Sequence, residues 1–205
     1  MSERALNDVV LAMYGLMAGG ARLLLPPTVD IPVVRTLRGA MFDRMARARG
    51  VTLTLGARRI LVDIEESTTI RGNFAEGARW VIDRLIPGGR MVDAAGNLFR
   101  TFGAGLLLRR YFLEHRTVDD PVLAEIEAER IRVALRAALE VLALEHARAI
   151  AEEALLPVRQ VEDARGLGIV QRWSEAAVAT VAELPLAWLD AAEKVFVETL
   201  GRYRR

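Results

Sequence analysis

The chain has 205 residues and no cysteine. It is long enough to bury a sizeable core, and it cannot form disulfides, thiolate metal sites or a thiol nucleophile. Hydrophobic residues make up 52% of it and the mean hydropathy is +0.20, yet no uncharged apolar run approaches the roughly 18 residues that a membrane span needs. The formal net charge of +1 hides an asymmetry, because residues 1–117 carry 17 basic and 11 acidic side chains, and residues 118–205 carry 11 and 16.

All basic residues but Lys194 are arginine. A GC-rich genome explains that bias, and so does selection for phosphate recognition. A basic half can face anionic lipid, nucleic acid or the acidic half of its own chain. The opening MSERALNDVV places Glu3 and Asp8 ahead of its apolar run and does not read as a secretory signal. The expected location is cytoplasmic, with room for a peripheral place at the inner membrane.

Residues 5–25 read as a first helix, with Leu6, Val9, Met13, Leu16, Gly20 and Leu24 as its inward stripe and Gly15 and Gly19 in GxxxG spacing. Pro26 and Pro27 end it. Asp30 offers a cap to a second helix, and Pro32 is tolerable in that helix's first turn. Its stripe is Ile31, Val34, Leu37, Met41, Met45 and Ala48, with Arg35, Arg38 and Arg47 on other sides and Gly50 as the stop. VTLTL at 51–55 alternates like a strand, but with no clear partner strand it reads as a linker into a helix from about Thr54 to Glu66. After a polar turn at 67–73, a helix carries Phe74, Ala78, Val81, Ile82 and Leu85 inward, with an Arg79–Asp83 pair outside.

Pro87, Gly88 and Gly89 then form a turn, and Asp93 lies near the start of the helix that follows. Val92, Ala95, Phe99, Phe102 and Leu106 share one side of that helix, beside Gly96 and Gly103. Glycine inside a helix costs roughly 1 kcal/mol against alanine, so two of them point to another backbone close by. The two proline turns and their flanking helices share Gly-Ala-Arg, Val-Asp and Arg-Thr steps, the pattern of a degenerate repeat. Past Thr117, Asp120-Pro121 is a helix start and no Gly or Pro intervenes before Leu155, a run of roughly 50 Å. Ile131, Leu135, Leu139, Leu142, His146 and Ala149 face inward; Glu125, Glu129, Arg132, Arg136 and Glu140 face water. Pro157 ends the run, the segment to Gln171 reads as a loop, and Ser174 caps a last helix kinked by Pro185. There Trp188, Ala192, Phe196, Leu200 and Tyr203 face inward. The expected fold is all-α: two proline-hinged helical hairpins (1–117) with a long helix and a kinked last helix (118–205) packed on them.

The succession LPPTVDIP, a helix ending RMARARGV, and then LIPGGRMVDAAGNLFRTFGAGLLLRRYF resembles the YcjF-like domain family of unknown function over residues 18–113. The chain departs from that pattern in having arginines where the helix end is often aromatic, and in lacking an attached nucleotide domain. The resemblance implies helical hairpins that lie beside bacterial GTPase or ATPase domains and are associated with membranes.

Catalytic machinery is not legible. A P-loop needs Gly-Lys-Ser/Thr, and the only lysine, Lys194, sits in AAEKVFV. Adjacent Glu114-His115 and Glu145-His146 place their side chains about 100° apart on a helix, which fails the Glu-x-x-His geometry of a di-iron bundle. Ser2, Ser67 and Ser174 lack a nucleophile elbow. Glu65-Glu66 and Glu152-Glu153 read as solvated helix ends. No catalytic, cofactor or metal site is therefore expected. The candidate membrane or partner surface is Arg35, Arg38, Arg47, Arg58 and Arg59, together with Arg100, which interrupts the glycine-bearing helix. Phe42 is the only aromatic within the cluster, too little to stack a nucleic-acid strand. The expected function is a non-catalytic interaction protein at an anionic membrane surface or beside an NTPase. A carrier of hydrophobic ligands such as lipid, or a bilayer-inserting protein, is the alternative.

Overall fold

A computed structural model describes residues 3–64, 89–115, 121–140 and 186–203. In chain order these form α1 (Glu3–Leu24), α2 (Pro27–Arg47), β1 (Thr52–Leu53), α3 (Leu55–Val62), α4 (Gly89–His115), β2 (Val122–Leu123), α5 (125–140) and α6 (Leu186–Arg202). The architecture is an all-α bundle carrying one two-stranded parallel ribbon. The helix expected at 74–85, the turns at 67–73 and 87–88, the far end of the long helix and everything from it to Pro185 lie outside the described residues.

α4 is the centre of the bundle. Between Ala94 and Phe112 nearly every position is buried, on all sides of the helix. A helix without a wet face can only be interior, and GNLFRTFGAGLLLRRYF supplies such a helix, its arginines confined to Arg100, Arg109 and Arg110. Each of its fully buried Leu or Phe side chains contributes about 1.5–3 kcal/mol relative to exposure. α1 lies antiparallel along it: Leu11 meets Gly105, and one turn later Gly15 meets Leu98 and Phe102. A Cβ on Gly15 would sit 3.1 Å from the Leu98 carbonyl oxygen, so here glycine is required by the approach of another backbone. Gly96, expected to be such a notch, meets nothing within 4 Å; Gly105 fills that role, with Leu11 Cδ2 2.8 Å from its hypothetical Cβ.

Two residues, Leu25 and Pro26, separate α1 from α2. Pro26 is the N-cap in an extended conformation, and Pro27, lacking an N–H, occupies the first helical position, where none is needed. The helix thus begins earlier than Asp30. That residue is not the cap; its buried carboxylate accepts a 2.6 Å bond from Arg22 Nη1 and ties the hairpin shut. Pro32 accordingly lies inside α2 rather than in its first turn. Gly50, at φ +70°, turns the chain out of α2, where a side chain would be strained.

VTLTL does lead into a helix capped by Thr54, as expected, but its Thr52 and Leu53 also find a partner strand. Thr52 N–H donates to Pro121 O and Thr54 N–H to Leu123 O, pairing β1 with β2 in parallel. The long helix starts four residues later than Asp120-Pro121 would place it, because 121–124 is drawn out into this ribbon. Each strand feeds a helix: Thr54 Oγ1 accepts from Ala57 N–H to cap α3, and Ala124 O accepts the first bond of α5. Ile131, Leu135 and Leu139 face inward as expected, and one continuous core joins Phe42, Leu61, Leu108, Leu123, Ile131, Leu135 and Phe196. Ala192 and Phe196 of α6 belong to it, whereas Tyr203 is exposed.

Candidate functional site

The six arginines expected on one surface do not share it. Arg38 is buried in the α2–α4 interface, only 1% exposed. Its Nε donates to Thr101 Oγ1 at 3.1 Å and its Nη2 to Asn97 Oδ1 at 3.0 Å. Asn97 and Thr101, four residues apart on α4, form a polar stripe in an otherwise apolar helix, and Arg38 satisfies it. It therefore leaves the candidate surface. The buried line of α2 runs through Val34, Arg38, Met41, Phe42 and Ala46, while Ala48 of the expected stripe is exposed.

The remaining arginines fall into separate settings. Arg35 pairs with Asp63 at 3.0 Å, joining the exposed edges of α2 and the end of α3. Arg47 and Arg58 converge on Asp43: Arg58 Nε lies 3.1 Å and Arg47 Nη2 3.9 Å from Asp43 Oδ2. Arg58 crosses α2 over Gly39, where a Cβ would come within 2.9 Å of its guanidinium nitrogens. Arg59 and Arg100 are exposed on α3 and α4 and make no ion pair among the described residues. Arg47 lies one turn past Asp43 on α2, whereas Arg58 reaches the same carboxylate from α3.

A more prominent surface is apolar. Val9, Met13, Met17, Leu24 and Val29 are 51%, 55%, 44%, 60% and 44% exposed. The first four run along the outer side of α1, and Val29 continues them past the hairpin tip. This reverses the expected facing of α1, whose buried side is Leu11, Gly15, Ala18 and Ala21. From Val9 to Ala21 the helix has no charged residue, so its periodicity offered two apolar sides. The small residues went inward because α4 approaches too closely for methionine. A helix apolar all round is normally covered on every side, and here one side is open.

Among the described residues, other polar contacts tie helices to one another. Tyr111 O–H donates to Glu127, with His115 and Phe196 packed on the same ring. Arg110 donates to Glu114 at 2.7 Å and to Glu193 across to α6. Its pKa is raised above the ordinary value, first by the hydrogen bond to Glu114 and then, against a desolvation penalty, by the carboxylate of Glu193. Its guanidinium therefore stays charged wherever the protein is folded. Among the described residues no group of three or more His, Asp or Glu side chains could hold a metal ion, and no helix is long and apolar enough to cross a membrane.

No protein-family model matches this chain, and no curated protein or solved structure is significantly similar to it.

Proposed function

We propose that the protein is a non-catalytic helical interaction module that works by docking the outer face of α1 on a partner, a bacterial GTPase or ATPase at the inner-membrane surface. The observation that carries this reading is the open apolar side of α1, Val9, Met13, Met17 and Leu24, on a helix already apolar on its inner side. Large apolar patches left on a folded surface mark interaction sites, and methionine adapts to varied partners. Val9, Met13, Met17 and Leu24 fall on one side of α1, at the spacing of a strip another helix would cover. The resemblance of residues 18–113 to the YcjF-like family supplies the NTPase as partner and the membrane as setting. A lipid surface alone fits α1 less well: an interfacial helix carries basic residues beside its apolar face, and between Val9 and Ala21 α1 has none.

The test pairs affinity capture from a bacterial lysate with flotation on phosphatidylglycerol vesicles, using wild type and the Met13→Glu/Met17→Glu double variant. Capture of an NTPase, lost in the double variant at unchanged thermal stability, supports the reading. Flotation without capture moves it to the lipid, and failure of both defeats it.

A further inference from the structure

A second surface, independent of α1, lies at the edge of β1 that no other strand pairs with among the described residues. Thr52 and Thr54 both turn their N–H groups toward β2. In a parallel pair the residue between them must then present its N–H and C=O to the opposite side. That residue is Leu53, and its edge opens on a cavity of about 300 Å³ lined by Asp43, Arg47, Val51, Leu55 and Arg58 among others. Leu55, the first residue of α3, is 86% exposed at its mouth. An uncovered strand edge is a template for another strand, and natural proteins usually cover or charge it. Here the charge is cationic: two guanidiniums meet one carboxylate at the cavity. Arg44, Arg49 and Arg59, neighbours in sequence of the lining residues, are exposed and make no ion pair among the described residues. The opposing charge is Glu125, whose carboxyl group lies over Gly56 at the start of α3.

We propose that this edge is a docking strip for an extended, acidic peptide segment of a partner protein, added as a third strand beside β1. The segment would exchange two backbone hydrogen bonds with Leu53. It would set an apolar side chain against Leu55 and Val51 and place a carboxylate between Arg47 and Arg58, where bidentate bonds to guanidinium are available. Asp43 holds the Arg58 fork in place, and Gly39 leaves the space in which it lies. The excess positive charge of this surface selects an acidic segment over a basic one.

The experiment titrates the full chain into a fluorescein-labelled, end-capped octapeptide alternating valine with aspartate, read by anisotropy at low salt. A valine–lysine octapeptide is the counterpart. Saturable binding of the acidic peptide alone is expected. Arg47→Glu, at a side chain 80% exposed, should weaken it about tenfold or more. Leu53→Pro removes the outward N–H without taking a donor from the β1–β2 ladder, its integrity checked by an unchanged circular dichroism spectrum, and Leu53→Ala controls for the lost side chain; the proline variant should bind about tenfold more weakly than the alanine one. Met13→Glu/Met17→Glu should leave this binding unchanged, so failure here and failure of the α1 reading are distinguishable. Equal affinity for the lysine peptide, equal affinity of the two Leu53 variants, or no binding by about 1 mM peptide overturns the proposal. Displacement by phosphatidylglycerol vesicles with no difference between the Leu53 variants overturns it too, and assigns the arginines to lipid.

Discussion

The seam between α1 and α4 and the ribbon between β1 and β2 hold the bundle by opposite means. The seam is a matter of shape: Gly15 lies under the Leu98 carbonyl, Gly105 under Leu11, and beside them α2 lodges Arg38 against Asn97 and Thr101. The ribbon is a matter of backbone, with two paired residues on each strand and a threonine cap at the start of α3. A surface held by close approach tolerates almost no added atom, whereas one held by main-chain bonds is indifferent to most side chains that leave the caps intact.

Substitutions can break that contrast in order of size. Arg38→Ala removes the buried bonds to Asn97 Oδ1 and Thr101 Oγ1 and empties the space of a large buried side chain, and should cost about 3 kcal/mol or more in a urea unfolding titration. Gly15→Val drives branched methyl groups into the Leu98 carbonyl and Phe102, and about 2–3 kcal/mol is expected by the same measurement. Thr54→Ala strikes the ribbon's cap and should cost only about 1 kcal/mol. Gly20→Ala sharpens the comparison, because its Cβ meets nothing within 4 Å. It should stabilise by about 0.5–1 kcal/mol, raising the melting temperature by a few degrees. Arg35→Ala, at a half-exposed pair with Asp63, should change stability by less than about 0.5 kcal/mol. If Gly15→Val and Gly20→Ala moved stability alike, the close approach of α4 to α1 would be wrong.

How much could be read in advance follows the same division. α4 was legible as a glycine-bearing helix with an apolar side through Phe99 and Phe102; that its other sides are buried too was not, because Asn97, Arg100 and Thr101 interrupt the run. The facing of α1 was not: with no charge from Val9 to Ala21, spacing alone supports a stripe through Val9 and Met13 as well as one through Leu11 and Gly15. Only residue size, set against a neighbour, decides between them. Arg38 was misplaced because an arginine in an apolar helix is ordinarily solvated. The signal that could have found it was the Asn97/Thr101 pair on the buried side of α4. Half of the ribbon was visible in the alternation of VTLTL; its partner was not, because a two-residue strand carries almost no periodicity and PVLAE reads as a helix start until something pairs with it. Of the candidate surface, Arg35, Arg47, Arg59 and Arg100 are exposed and Arg58 is half-buried. Their partners Asp43 and Asp63, which divide them into separate groups, were not foreseen.

The parallel ribbon also constrains how the chain is assembled. Thr52 finds its partner in Val122, seventy residues further on. The α1–α2 hairpin can close from neighbouring residues as soon as they exist, but the ribbon must wait for the whole intervening chain and bear its loop-closure entropy. On a ribosome the N-terminal hairpin would therefore stand for a time with β1 bare on both edges. That interval is when this protein is most exposed to pairing with the wrong strand.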